Sequence, residues 1–409
     1  MNGAVRSQQR LTCRWLAEVG TWNPGALRRL QQRYGGLDTL LEHSREDLAA
    51  ELSSARRAVP AAVPGLSAEE ERWTEAGAYA ATLAAAARGP VVASAGRPVV
   101  TWVDDRYPAR LRHLSDPPPA LFLTGAAVWE ALTVCTAAPV VAVVGTRGPT
   151  AYGRDMARAI ASGLTKAGVL VVSGLAMGID AEAHSAALTV AAGTCAVGTA
   201  AVLGCGVDVV YPRVNRRLFA RVHAAGLLLS EFVWGAGARA WRFPARNRII
   251  AGLADAVVVV EGGARSGALS TAEFCNDLGR EPLAVPGEAG RRLSAGPHRL
   301  LREGRAGLCE SAADVLAALG LPQSASSRQA QLHLAAGAAS GDAAAVLSAL
   351  DGGELRVDEL AIAASLRVVD CLATLAELEL AGLVSPCSGG RYRLVRGDDP
   401  GAMETPRAG

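Results

Sequence analysis

The strongest constraint on the fold is an alternation of short apolar runs and helical stretches that begins at Pro139. The runs are rich in β-branched or aliphatic residues and read PVVAVVG, VLVVSG, LLLSE, DAVVVVE and PLAVPG. Such near-continuous apolar runs are typical of parallel strands that are buried on both faces. Because strand and helix alternate at least five times, the sequence predicts a doubly wound parallel sheet of the α/β class.

Helical patterns flank this segment on both sides. Residues 1–95 are predicted to form a small domain resembling SAM-like or helix-hairpin-helix modules, with a plain helical packing domain as the alternative. Residues 96–320 form the predicted α/β core, and the Ser/Ala/Gln-rich residues 321–341 a linker. Three helices and a hairpin over 342–396 predict a winged-helix domain, and residues 397–409 a disordered tail.

Cysteine usage and hydropathy exclude several classes of protein. The eight cysteines include no C-x-x-C motif and are not accompanied by paired histidine ligands, so neither a disulfide scaffold nor a metal site is predicted. No apolar run reaches the ~20 residues that a membrane-spanning helix needs, and the N-terminal stretch lacks a signal-peptide core. We therefore expect reduced thiols, a cytoplasmic location, no membrane partner and no cofactor.

Charge is unevenly distributed along the chain. Residues 213–248 hold eight arginines and one acid, a net charge of +7, whereas residues 311–409 hold seven arginines and twelve acids, a net charge of −5. A basic centre beside an acidic tail favours a local anion site over a uniformly basic surface.

Small-residue loops follow three of the predicted strands. In an open α/β sheet, ligands bind at the carboxyl ends of the strands, near the point where strand order reverses. Small residues let backbone N–H groups approach an anion there, and a planar guanidinium suits phosphate oxygens. The loops are GTRGPTAYG with Arg147, SGLAMGIDAEAH with Ser173, Gly174 and Gly178, and GGARSGALSTAE with Ser266 and Gly267.

Asp180 and His184 in the second loop could suggest a catalytic pair. No nucleophile accompanies them, so we interpret Asp180 as a helix N-cap and His184 as a hydrogen-bonded core residue.

The stretch RFPARNRIIAGL, residues 242–253, concentrates positive charge before an apolar segment. We expect Arg246, Asn247 and Arg248 at a helix N-terminus, where positive side chains oppose the helix dipole and call for an anion. Arg242, Arg246 and Arg248 are accordingly predicted to face a phosphate pocket together with Arg147. The alternative for any one of them is a buried ion pair with an acid, either Glu231 or Glu261.

Aromatic side chains adjoin the same arginines. Phe243 and Trp241 are candidate platforms for stacked bases, which single-stranded DNA binding requires beside a positive groove. For Phe243 the alternative is burial in the core.

Six motifs stand in the order found in one known family: GTRGPTAYG, SGLAMGIDAEAH, VLGCGVDVVYP, SEF, FPARNRIIAGLADAVVVVEGGARSGALSTA and AVPG. With the upstream YPARLRHLSDPPPALFLTG, residues 100–310 resemble the DNA-processing protein A (DprA/Smf) family. The sequence departs from the family pattern at Thr150, Ser270, Pro297 and His298, and the last two put one pocket wall in doubt.

The resemblance implies an extended Rossmann-like core with a small helical N-terminal domain and a C-terminal winged helix. It implies a homodimer that binds single-stranded DNA without sequence demand and loads the RecA recombinase during natural transformation and recombination, with no catalytic residues. The DNA-binding residues that it suggests here are Arg147, Ser173, Gly174, Gly178, Arg242, Phe243, Arg246, Asn247, Arg248, Ser266 and Gly267.

Two other functions are compatible with parts of the sequence. A lysine-decarboxylase-like nucleotide phosphoribohydrolase would use a related loop with Thr271 and Glu273, but the spacing differs and Glu261 precedes the loop. A winged-helix transcription regulator would read DNA with residues 367–381, where Asp370, Glu377 and Glu379 outnumber Arg367. Because a helix this acidic suits a DNA groove poorly, a protein-contact or autoinhibitory role is preferred for it.

Overall fold

A computed structural model describes residues 3–22, 24–54, 97–192, 197–321, 341–350, 353–380, 384–387 and 390–394. The chain divides into two compact units, Met1–Leu321 and Pro322–Gly409. The predicted tail and all but the two end residues of the predicted linker lie outside the described residues. No helix in the described ranges is long and apolar enough to cross a membrane.

Four helices begin the first unit: Gly3–Trp22 (α1), Pro24–Tyr34 (α2), Leu37–Leu40 (α3) and Arg45–Ser54 (α4). Their helical spacing buries Trp15, Leu16, Leu30 and Leu48, which belong to the same hydrophobic cluster as residues of the sheet. The helical prediction is confirmed for these residues, while residues 55–95 of the predicted domain lie outside the described ranges.

The first unit contains a nine-stranded sheet with the order β1-β2-β6-β5-β4-β3-β7-β8-β9. All pairs from β6 to β9 are parallel, and β1 and β2 form an antiparallel edge. The predicted doubly wound α/β fold is therefore confirmed. The strands are Val99–Thr101 (β1), Ala120–Thr124 (β2), Val140–Val144 (β3), Leu170–Ser173 (β4), Thr199–Val202 (β5), Leu227–Ser230 (β6), Ala256–Val259 (β7), Leu283–Ala284 (β8) and Gly307–Leu308 (β9).

Helices cover both faces of the sheet. Alternate residues of β3 belong to different hydrophobic clusters, Val141 and Val143 with Ile160, and Ala142 and Val144 with Ile249. This two-sided burial explains why the strands are continuous apolar runs. The helices are Val128–Ala137 (α5), Ala151–Lys166 (α6), Ile179–Ala191 (α7), Arg216–Ala225 (α8), Arg242–Leu253 (α9), Gly267–Asp277 (α10), Ala295–Arg302 (α11) and Ala312–Ala318 (α12).

Strand order reverses between β3 and β7. The chain runs from β3 through β4 and β5 to β6 on one side, and then returns to place β7 on the other side of β3. The loops after β3 and β7 therefore leave the sheet side by side, where ligands bind in open α/β sheets.

The second unit contains Gly341–Leu350 (α13), Leu355–Arg356 (β10), Val357–Ala363 (α14), Val368–Leu380 (α15), Val384–Cys387 (β11) and Arg391–Leu394 (β12). The three strands form an antiparallel sheet with β12 in the middle. Three helices with a β-hairpin confirm the winged-helix prediction.

Candidate nucleic-acid interface

An open pocket of about 530 Å³ lies at the point where strand order reverses. Its floor consists of the buried lining residues Val144, Asp180, Arg246, Ile250, Ala268 and Thr271. Its rim consists of half-buried or exposed residues: Gly145, Thr146, Arg147, Ala176, Tyr211, Ala240, Phe243, Pro244, Asn247, Ser266 and Gly267.

A buried carboxylate gives the loop after β3 its shape. Glu261 accepts hydrogen bonds from the backbone N–H of Thr150 at 2.9 Å and from its hydroxyl at 2.6 Å. A Cβ atom at Gly153 would lie 2.2 Å from the Glu261 carboxylate, so only glycine fits there. Glu261 thus binds Thr150, and of the two acids offered as alternative ion-pair partners for an arginine it is Glu231 that forms the pair.

An exposed guanidinium stands above an aromatic pair on the rim. The Cζ atom of Arg147 lies 5.6 Å from the centroid of the Phe243 ring. The ring of Tyr211 lies 5.0 Å from that of Phe243 at an interplanar angle of 31°. Both rings reach solvent, Tyr211 with 40% of its surface exposed. The sequence reasoning missed Tyr211, although the motif VLGCGVDVVYP contains it.

Ser173, Gly174 and Gly178 support the pocket from behind. The buried Ser173 hydroxyl donates to the carbonyl oxygen of Val143 at 2.7 Å, and Gly178 has a φ of +79° against the backbone of the first loop. A Cβ atom at Gly174 would lie 2.0 Å from Nη2 of Arg246. None of the three lines the pocket, so the structure places them behind it, and their contact with DNA stays a prediction.

Asp180 and His184 fix the backbone of the second loop. Gly178 is the N-cap of α7, so the N-cap prediction for Asp180 is wrong. The Asp180 carboxylate instead accepts from the N–H groups of Gly174 at 3.1 Å and Ala176 at 3.4 Å.

The hydrogen bonds of His184 define its neutral form. Its Nε2 accepts from the N–H of Leu175 at 3.3 Å, so Nδ1 carries the proton toward the Thr199 hydroxyl at 2.7 Å. Burial lowers the pKa of His184 to about 3. The interpretation of His184 as a hydrogen-bonded core residue is confirmed.

Arg246 is the arginine of α9 that reaches the pocket. The helix begins at Arg242, so Arg246, Asn247 and Arg248 lie in its second turn and the expected N-terminal position is wrong. The guanidinium of Arg246 donates from Nη1 to the carbonyl oxygens of Gly174, at 2.7 Å, and Val202. Its residue surface is 4% exposed, and it lines the floor. Burial lowers the pKa of this guanidinium below its ordinary value.

Arg242 points away from the pocket. Its guanidinium donates to the carbonyl oxygens of Thr21 and Gly237, both at 2.6 Å. It also lies 4.7 Å from the Phe232 ring and 5.2 Å from the Trp241 ring. The prediction that Arg242 faces the phosphate pocket is therefore corrected, and the buried Trp241 is not a base platform.

Arg248 forms the alternative ion pair. It donates to both carboxylate oxygens of Glu231, at 2.6 and 2.7 Å, and lies 2.9 Å from a carboxylate oxygen of Asp116. Burial disfavours its charge, but Asp116 and Glu231 outweigh that effect and raise the pKa of Arg248. The predicted pocket position of Arg248 is therefore corrected, and its pairing with Glu231 is confirmed.

A small hydrogen-bond network joins α9 to the start of α10 on the rim. Ser266 caps α10 by accepting from the N–H of Ala268. The Asn247 amide donates to the Gly267 carbonyl oxygen at 3.1 Å and to the Ser270 hydroxyl at 3.0 Å. Asn247, Ser266 and Gly267 thus lie on the pocket rim, and their contact with DNA stays a prediction.

Of the two residues named for the enzyme alternative, Thr271 lies on the pocket floor but Glu273 lies elsewhere. Glu273 does not line the pocket, and one of its carboxylate oxygens lies 3.6 Å from Arg299. Pro297 and His298 also lie off the pocket, and His298 contacts the backbone of Gly287. Within the described ranges, no group of three or more His, Cys, Asp or Glu side chains could hold a metal ion.

Family models match both units. Residues 98–320 match the family model for DNA recombination-mediator protein A. The chain belongs to this family. Residues 330–390 match the DprA winged helix domain.

Similar proteins extend the match beyond the core. The chain is 38% identical over 313 residues to the putative DNA processing protein DprA of Mycobacterium tuberculosis, which covers 74% of this chain and 78% of the relative. It is 34% identical over 319 residues to protein Smf of Synechocystis, which covers 71% and 78%. The crystal structure of DprA from Streptococcus pneumoniae is 33% identical with a TM-score of 0.54, and covers 77% of this chain and 95% of that one.

Proposed function

We propose that the pocket binds single-stranded DNA, with bases stacked on Phe243 and Tyr211 and a phosphate held by Arg147. The observation that carries the proposal is the exposed Arg147 guanidinium beside two solvent-accessible rings at the switch point of the sheet. Bases present an aromatic face whatever their identity, so this arrangement suits single strands of any sequence. A paired duplex keeps those faces stacked inside.

Exposed arginines extend the positive charge beyond Tyr211. Arg213, Arg217 and Arg221 follow at intervals of four residues and are exposed, as is Arg216. These four form no ion pair with another described residue, so their charges are available to phosphates. We place the path of the strand from the pocket along this basic band.

The wider role follows from family membership. We propose that the protein binds DNA strands without converting them chemically, acts as a homodimer in recombination and natural transformation, and passes its strand to RecA. The family description, a recombination mediator, supports this assignment.

We assign the winged helix a protein-contact role. Directly before α15, Arg367 donates to Asp370 at 2.6 and 2.9 Å, so the charge of this arginine is already neutralised. Glu377 and Glu379 add negative charge, which repels a DNA groove. Deleting residues 325–409 should leave single-strand affinity unchanged or tighter; loss of affinity in a folded deletion variant would contradict this assignment.

The proposal is tested by measuring affinities for a mixed-sequence single strand and its duplex over a series of salt concentrations. We expect preference for the single strand and a logarithmic affinity that falls linearly with the logarithm of the salt concentration. Equal affinity for duplex and single strand, or no salt dependence, would overturn the proposal. Release of a free base from a nucleoside monophosphate would assign the pocket to an enzyme instead.

A further inference from the structure

The floor of the pocket contains a buried acid and a buried base that do not pair with each other. Asp180 is 5% exposed and Arg246 is 4% exposed. Both contact the same peptide segment, because Arg246 donates to the carbonyl oxygen of Gly174 and Asp180 accepts from its N–H. Their charged groups form no direct ion pair, but each attracts the other electrostatically, and burial nevertheless raises the pKa of the Asp180 carboxyl above its ordinary value. A strong acceptor and a strong donor therefore lie close together at the bottom of an open pocket.

This pair lies where the edge of a stacked base would point. Phe243 and Arg246 are three residues apart on α9, so they occupy the same side of the helix, and both line the pocket. A base held on the rim by Phe243 can therefore direct its polar edge toward Arg246 and Asp180. Burial makes hydrogen bonds on the floor stronger than those on the rim, because the local dielectric is lower.

We propose that this floor reads the edge of one base and favours guanine at that position, an inference that rests on the proposed single-strand binding. Guanine presents adjacent N–H donors, which suit the Asp180 carboxylate, and O6 and N7 acceptors, which suit a guanidinium. Adenine and cytosine lack the adjacent pair of donors. Asp180 and Arg246 are thus specificity-determining residues of one subsite.

Such a preference is compatible with binding to strands of any sequence. Contacts to phosphates and base faces supply affinity at every position, whereas the floor reads a single base. The expected consequence is a preferred register of the strand rather than a required sequence.

The test is a base series on the unmodified full-length protein. A short oligothymidylate receives one central guanine, hypoxanthine or adenine, and the affinities are compared at constant salt. Hypoxanthine differs from guanine only by lacking the 2-amino donor. We expect about tenfold tighter binding of the guanine strand than of the hypoxanthine strand, the ratio for one hydrogen bond to a charged group.

Two variants assign the ratio to a residue. Asp180→Asn can still accept from the loop N–H groups but has no charge, and should reduce the guanine-to-hypoxanthine ratio to about one. Asp155→Asn removes an exposed carboxylate on α6 and should retain the ratio. Equal binding of all strands by the unmodified protein would overturn the base preference and leave the proposed function intact. An unchanged ratio in Asp180→Asn would overturn the role of Asp180. Failure of the unmodified protein to bind any of the strands would refute both the base preference and the proposed function.

Discussion

The two sides of helix α9 differ in where their polar side chains find partners. Phe243, Arg246 and Asn247 line the pocket, although Arg246 and Asn247 also donate hydrogen bonds to oxygen atoms of the protein there. Arg242 and Arg248 lie on the packed side, and their guanidinium groups are bound by carbonyl oxygens or carboxylates of the protein. Three arginines within seven residues therefore have different functions. An arginine can contact DNA only where its guanidinium reaches a surface that DNA can approach, which holds for the exposed Arg147 but not for the buried Arg242 and Arg248.

The largest expected effect is on the packed side, in Arg248→Ala. Removing this guanidinium leaves the Glu231 carboxylate without its cation and Asp116 with only Arg28, at 3.6 Å, and should lower the free energy of unfolding by about 3–5 kcal/mol. Urea denaturation measures this loss. Arg158→Ala, at an exposed ion pair, is the matched control and should cost about 1 kcal/mol or less. A stable Arg248→Ala variant with reduced salt dependence of DNA binding would place Arg248 in the DNA site.

Acidification should lower the free energy of unfolding through the buried His184. In the unfolded chain this histidine becomes protonated below its ordinary pKa of 6.5, whereas in the folded protein it stays neutral until the pH approaches its lowered pKa of about 3. The unfolded state thus binds more protons in this pH range. The free energy of unfolding should therefore decrease as the pH is lowered, by at most about 1.4 kcal/mol per pH unit.

The contribution of His184 is isolated by comparing variants. His184→Asn should flatten the pH dependence of the unfolding free energy between pH 6.5 and 4.5. His113→Asn, at an exposed histidine, should retain it. Identical pH profiles for the unmodified protein and His184→Asn would show that the buried imidazole contributes nothing to acid sensitivity.

On the pocket side, Phe243→Ala should weaken single-strand binding by about 1–3 kcal/mol, the loss of one stacked base. The salt slope should stay nearly constant because no charge is removed. Titrations at three salt concentrations measure both quantities. Trp129→Ala, at an exposed aromatic residue outside the pocket lining, should leave the affinity unchanged. An affinity in Phe243→Ala equal to that of the unmodified protein would exclude Phe243 as a platform.

The smallest expected effect is the change in salt slope in Arg147→Ala. Loss of one phosphate contact should reduce the slope by about 0.7, equally for all sequences. Arg147→Lys keeps the charge and should keep the slope. If the slope is the same in Arg147→Ala as in the unmodified protein, the phosphate contacts lie on the basic band instead.

The fold was predictable because each strand carries its own signal. Strands that are buried on both faces require apolar residues at every position, as in Val140–Val144, and glycine-rich loops mark where strands end. Part of the pocket rim was predictable for the same reason, since Arg147, Ser266 and Gly267 lie in or beside loops after strands.

The partners of the arginines were not predictable from local sequence. The acceptor of Arg242 lies 221 positions away, at Thr21, and one acid of Arg248 lies 132 positions away, at Asp116. The local pattern supplies only the charge; the fold decides what neutralises it. Tyr211 was missed because Phe243, whose ring it contacts, lies 32 positions further along the chain, so no local pattern contains both residues.

The hydrogen bond from Arg242 to Thr21 limits how far the chain can be truncated from its N-terminal side. The family match begins at residue 98, which suggests a self-sufficient core. However, Thr21 lies at the end of α1; its carbonyl oxygen accepts from Arg242, and its hydroxyl accepts from the N–H of Val233. A fragment that starts at residue 98 would leave that N–H without its acceptor and would remove one of the two carbonyl oxygens that bind the Arg242 guanidinium, while the one of Gly237 remains. In evolutionary terms, α1 and α9 should change together, because a substitution at one end of these hydrogen bonds limits which residues the other end can accept.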